Sequence, residues 1–359
     1  MNQLNQQKPA LLMVGKGGKK EGMGHLVRIS ALVEVFAPCY EVTLLTMQDR
    51  FGDFFFKQKG ITCFTYQDNR GLYRFLEEHA RHSMDEKYAV IIIDIYRISI
   101  DVIKKIENYC HVLVNFDDMQ RRVQHSIKGI FLCPQEPFKR EIMNRRRDTV
   151  VKGTDYFPLR RIFTRYREKK RFRKDVLDIG IILGGVPSQT HTLKLTQLLD
   201  RFLDKKIKLH IVMGFAPGGS HFDTTLFSSR VKVVKNVDNM AAFIEKIDAG
   251  IIAGGFIKFE MMCIGTPFVL ISLADHQHWL ARKFAAQGYG VYLGKIKDLL
   301  SNPNKFKQEM ETFLSDETLR KQMFSNSRQL VDGKGSDRVL EMVNSFAAAS
   351  QSSIRRRKS

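Results

Sequence analysis

Gly22-Met23-Gly24-His25 stands directly in front of a stretch with helical spacing, Leu26, Val27, Ile29, Leu32, Val33 and Phe36, and chemistry can begin there. The start of a helix exposes unpaired N–H groups and a partial positive charge, which draw a phosphate. The same field disfavours a charged imidazole by roughly 0.3–1 kcal/mol. A neutral histidine in that place has a lone pair with which to accept a proton. Three uses of His25 therefore stand side by side: a catalytic base, a phosphate contact, and a capping or packing residue. The two glycines do not choose among them. They lack the full spacing of a dinucleotide fingerprint, and no GxxxxGK[ST] phosphate loop follows a strand.

A second constellation is denser. In "IIAGGFIKFEMMCIGTPFVLISLADHQ", residues 251–277, a strand runs into Gly254-Gly255, and Glu260 follows in the first turns of a helix. Next come a glycine-proline turn, another strand and Asp275-His276-Gln277. A carboxylate at Glu260 accepts both hydroxyls of a ribose while the glycines let a pyrophosphate approach the backbone; it serves equally as a surface acid on a helix. His276 and His278 have the donor type of metal ligands but no triad at ligand spacing, so no metal and no cofactor are expected. Asp117-Asp118 at a strand end reads as an acid/base pair or as a helix cap. Ser188 and Ser220 lack the nucleophile elbow.

The elements that must position these residues alternate between short apolar strands and helices. "ALLMVG", "YEVTLLTM", "ITCFTY", "YAVIIIDIY", "HVLVNFDD" and "GIFLCP" are strand candidates in the first half. "DVLDIGIILGG", "KLHIVMG", "VKVVKNV", "DAGIIAGG", "TPFVLISL" and "GYGVYLG" repeat the pattern in the second. Such alternation predicts an α/β protein with two Rossmann-like domains and parallel sheets covered on both faces. We place the first domain at 1–150, a basic linker at 151–174, the second domain at 175–348 and a disordered basic tail at 349–359. Ligands of open α/β sheets bind beyond the carboxyl ends of the strands. Four glycine-rich loops fall there: 15–25, 184–192, 214–220 and 253–260.

Length agrees with two domains, since 359 residues exceed one core of ordinary size. The five cysteines form no CxxC pair, the N-terminus lacks a signal-peptide pattern, and no apolar run reaches the roughly 20 residues of a spanning helix. A reducing cytoplasm is the expected location. The formal charge of +20 suits a nucleotide substrate, an anionic membrane, a nucleic acid or plain surface solvation. Nucleic acid is not expected, because no recognition motif accompanies the charge. Basic residues 160–174 with Phe163, Tyr166 and Phe172 suit peripheral contact with an anionic membrane, each cation contributing about 1 kcal/mol. Nothing in the sequence fixes an oligomeric state.

Four stretches carry a family resemblance: "GMGHLVRISAL", "IIDIYRI", "GTDYFPLRRIF" and "AGGFIKFEMMCIGTPFVLISLADHQ". In this order they resemble the motif blocks of the UDP-2,4-diacetamido-2,4,6-trideoxy-β-L-altropyranose hydrolases of pseudaminic acid biosynthesis and of the spore-coat polysaccharide proteins. These are similar in fold to the glycosyltransferase that adds N-acetylglucosamine to lipid I. The likeness covers about residues 10–345 and implies a two-lobed GT-B-like fold. It also implies a UDP-sugar substrate, held mainly by the second lobe, and metal-independent attack at the anomeric carbon with release of UDP. By motif position, His25 would be the base that deprotonates water, with Tyr96 near the sugar and Gly22, Gly24 and Arg28 along the substrate. Gly184, Gly185, Gly254 and Gly255 would border the diphosphate, Glu260 the ribose, and Asp275, His276 and Gln277 the sugar or phosphates. The chain departs from the pattern at His276, where the family has Asn, and at Ile257, where it has a hydroxyl residue. A transferase using the same donor is the alternative.

Overall fold

The computed structural model describes residues 8–18, 21–80, 87–122, 125, 127–184, 189–214, 223–235 and 237–358. The chain divides into two compact units, one of residues 1–160 with 334–359 and one of residues 161–333.

The first unit is built on a sheet of eight strands. They are β1 (Ala10–Gly15), β2 (Glu41–Met47), β3 (Phe64–Tyr66), β4 (Tyr88–Asp94), β5 (Cys110–Phe116), β6 (Gly129–Cys133), β7 (Glu141–Asn144) and β8 (Asp148–Lys152). Their order is β3-β2-β1-β4-β5-β6-β8-β7, parallel except for β7 against β8. The central strands β1 and β4 are almost continuous runs of buried aliphatic residues, as strands covered on both faces require. From β1 the chain moves outward to β2 and β3, then returns to lay β4 on the other side of β1. That reversal leaves a crevice at the carboxyl ends of β1 and β4, where Gly15 pairs with Asp94. The helix Gly24–Phe36 begins just above it and buries Leu26, Ile29, Leu32, Val35 and Phe36.

The second unit repeats the plan with six parallel strands: β9 (Asp178–Ile182), β10 (Lys208–Met213), β11 (Val231–Lys235), β12 (Ala249–Ala253), β13 (Phe268–Ser272) and β14 (Val291–Lys295). Their order, β11-β10-β9-β12-β13-β14, puts the reversal between β9 and β12. Ile182 pairs with Ile252 there, so the loops beginning near Gly184 and Gly254 leave neighbouring strand ends.

Three expectations about organisation change. Residues 151–174 are not a linker. Their start completes β8, and the helix Ile162–Lys169 belongs to the second unit, where Phe163 is fully buried. Of the tail placed at 349–359, residues 349–358 are helical, the end of one helix that runs from Gly335 to Lys358. That helix returns to the first unit, so its domain is discontinuous in sequence. Tyr40 donates to Asn344 at 2.7 Å, and Ser336 to the Leu159 carbonyl at 2.8 Å. Glycine is required at the return, since a Cβ on Gly335 would stand 2.0 Å from the Phe157 carbonyl oxygen. The "GTDYFPLRRIF" block thus builds the crossover: Tyr156, Phe157, Leu159 and Phe163 are all buried.

Candidate functional site

In the first unit the strand ends converge on a buried ionic cluster. His25 is the second residue of its helix and 7% exposed. Its Nδ1 lies 2.7 Å from Oδ1 of Asp94, the last residue of β4 and fully buried. Arg28, one helical turn further, donates from Nε at 2.7 Å and from Nη2 at 2.6 Å to the two oxygens of Asp94. Its Nη1 and Nη2 also donate to Asp118, both at 2.9 Å. The guanidinium carbon rests 4.2 Å from the centroid of the Phe116 ring. One arginine thus holds two carboxylates in fork geometry against an aromatic face.

The electrostatics follow from burial and pairing. For Asp94, burial favours the neutral acid, but Arg28 and then His25 outweigh it and hold the carboxyl well below the usual carboxylate range. For Arg28, burial works against the charge, and Asp118 and Asp94 more than restore it. Asp94 is therefore an acceptor only, and His25 meets it with an Nδ1–H. In a neutral ring that tautomer carries its lone pair on Nε2. A carboxylate orienting an imidazole is an arrangement compatible with general-base chemistry.

His25, Asp94 and Asp118 also have the composition of a cation site, with one ligand atom from each lying within 4.8 Å of the others. The donor set does not fit a metal well. Both carboxylates are engaged by the fixed charge of Arg28, and a divalent ion would have to displace it.

The remaining first-unit expectations divide. Tyr96 stands beside the dyad, its ring centroid 6.2 Å from that of His25. Gly22 shapes the approach: at φ 78° it closes a pair of backbone hydrogen bonds with Gly18, at 2.8 and 3.1 Å. Gly24 opens the helix and is partly exposed. Arg28 is 1% exposed with its guanidinium committed to Asp94 and Asp118, so its work is to position Asp94 rather than to reach a ligand.

In the second unit, Gly254 and Gly255 lead from β12 into the helix Ile257–Ile264. Lys258 is fully buried and donates to the carbonyls of Gly255 at 3.1 Å and Gly254 at 3.5 Å. Its ammonium lies 4.4 Å from the Phe259 ring centroid. The turn is pinned through its carbonyls from within the protein. A Cβ on Gly254 would lie 3.0 Å from the Cβ of Gln277, whereas one on Gly255 or Gly184 would meet nothing within 4 Å. Open space borders the last two, as a ligand's phosphates need. Gln277 accepts from the Leu273 amide at 3.0 Å, which fixes its side chain beside Gly254. Glu260 is 9% exposed in the helix that follows the turn. Asp275 is fully solvent-facing and pairs with Lys295 at 2.8 Å, which holds its carboxyl below the ordinary value. Gly185, Ser188, Ser220 and the side chain of His276 lie outside the described residues.

No protein-family model matches the chain. It is similar to the spore coat polysaccharide biosynthesis protein SpsG of Bacillus subtilis (strain 168), at 28% identity over 338 residues, 91% of this chain and 95% of that protein. The resemblance read from the four motif blocks stands. Among solved structures, MurG of Acinetobacter baumannii aligns with a TM-score of 0.60 at 15% identity, covering 94% of this chain and all of that one. Arabidopsis thaliana UGT89C1 complexed with UDP aligns with a TM-score of 0.60 at 9% identity, covering 95% and 100%. The fold is that of the GT-B glycosyltransferases, two Rossmann-like units in one chain.

Sequence reasoning missed the residues that make His25 chemically competent. Asp94 sat in a strand candidate, and its signal was a lone acid closing the apolar run "VIII" at a strand end. The Asp117-Asp118 pair is neither an acid/base couple nor a helix cap. Asp118 holds Arg28, while Asp117 accepts from the amides of Arg121 and Arg122 at 3.1 and 2.6 Å. Lys258 had no signal beyond its place after the glycines.

Proposed function

We propose that the protein is a nucleotide-sugar enzyme of polysaccharide biosynthesis. In this reading His25, oriented by Asp94, deprotonates a hydroxyl that attacks the anomeric carbon of a UDP-activated amino sugar. The observation that carries it is the 2.7 Å contact between His25 Nδ1 and a buried, ionised Asp94 at the strand reversal of the first sheet. The loops at Gly184 and Gly254–Gly255 bind the diphosphate, Glu260 the ribose, and Gln277 the phosphates or sugar. Support comes from the open backbone at Gly184 and Gly255, from the likeness to SpsG and from a UDP complex of similar fold.

Water is the nucleophile in the first reading, which makes the reaction a hydrolysis that frees UDP and the sugar. Proton transfer by a placed base contributes about 10²–10⁴ in rate. His25→Asn lowers turnover by that order while UDP affinity stays unchanged; full activity in this variant would remove the residue from the mechanism. The second reading is transfer to a sugar acceptor, and one observation favours it: two unneutralised guanidinium groups lie against Tyr96, beside His25. Incubating UDP-sugars without an acceptor separates the two. UDP release at catalytic rates establishes hydrolysis, and release only on adding an acceptor establishes transfer.

A further inference from the structure

Tyr96 lies two residues beyond β4. The guanidinium carbons of Arg97 and Arg121 are each 5.8 Å from the centroid of its ring. Both arginines are exposed, and among the described residues neither guanidinium meets a carboxylate. Their framework is rigid. Buried Asp117 accepts from the amides of Arg121 and Arg122, and buried Arg122 donates to the carbonyls of Phe116 and Ile95 at 3.0 Å and of Tyr96 at 2.7 Å. These bonds staple the turn after β5 to the segment after β4. Within that turn Gln120 adopts φ 53°, a left-handed conformation that costs a side-chain-bearing residue energy and persists where the surroundings impose it.

An aromatic ring flanked by two guanidinium groups fits a sugar that carries a negative group, since the ring takes the apolar face and the forks take the oxygens. We propose that Tyr96, Arg97 and Arg121 form an anion subsite that holds a phosphate or carboxylate of the co-substrate whose hydroxyl His25 deprotonates. The proposal rests on the transfer reading and deepens it: the acceptor is anionic. The same phosphate chemistry has a second source, the diphosphate of the donor, and the test separates the two.

The probe is inorganic pyrophosphate, titrated calorimetrically into the full-length protein with UDP already saturating. Binding is expected in the parent, and the Arg97→Gln/Arg121→Gln double variant should weaken it by about tenfold or more, the scale of lost charge-assisted hydrogen bonds. The UDP affinity and melting temperature of the variant should equal those of the parent. Failure of pyrophosphate to bind beside UDP, or undiminished binding in the variant, overturns the subsite. A loss of UDP affinity in the variant overturns the acceptor assignment and gives the arginines to the donor. Absence of UDP binding in the parent would strike the nucleotide-sugar reading itself, while the pyrophosphate comparison would still report on the arginines.

Discussion

At the scale of single residues, stability and catalysis meet in Arg28. Asp94 and Asp118 share its guanidinium, but only Asp94 touches His25. Removing one member of a buried ion pair costs about 3–5 kcal/mol. Asp94→Asn and Asp118→Asn should therefore lose comparable stability in urea titrations, while turnover falls much further in Asp94→Asn because the imidazole loses the carboxylate that fixes its tautomer. Equal turnover in the two would leave Asp94 a purely structural residue. The sequence showed the proposed base and hid its support. His25 was legible because glycines and a helix start surround it, whereas Asp94, Arg28 and Asp118 lie up to 90 residues apart and meet only when β1, β4 and β5 align.

At the scale of elements, part of the basic stretch 160–174 is tied to remote partners within the second unit. Arg167 donates to the carbonyls of Cys263, Val331 and Arg328, Arg173 pairs with Asp248 at 3.0 Å, and the ring of Phe172 packs 5.9 Å from that of Phe324. Tyr166 accepts from Asn239. Phe163 is buried in the second unit, whereas Tyr166 and Phe172 are half-buried. Lys170 is 4% exposed and donates to the carbonyls of Glu245 and Ile247 at 2.7 and 2.5 Å. Burial pushes its ammonium down to about 8, against about 10.4 for an unfolded lysine. Between those values the unfolded chain binds more protons than the folded one, so the contribution of Lys170 to stability rises with pH from about 8 to about 10. The stability gap between the parent and Lys170→Met should widen in favour of the parent over that window in urea melts. A gap independent of pH would show that the group titrates normally.

At the scale of the whole molecule, periodicity disclosed both sheets, because their strands are unbroken apolar runs between glycines. It did not disclose β7 and β8, short strands inside a run of charge, nor that the final helix belongs to the first unit. That helix packs against β4, β5 and the helix Gly24–Phe36, so it completes the core on which the dyad stands. Ending the chain at Gly333 should leave the first unit unable to fold, while residues 161–333 alone give a cooperative melt and bind UDP. A soluble, cooperatively melting 1–160 fragment would contradict this. On the ribosome, the discontinuity sets an order. The portion synthesised first must wait, unfinished, for the portion synthesised last, while the middle of the chain has everything it needs as soon as it emerges.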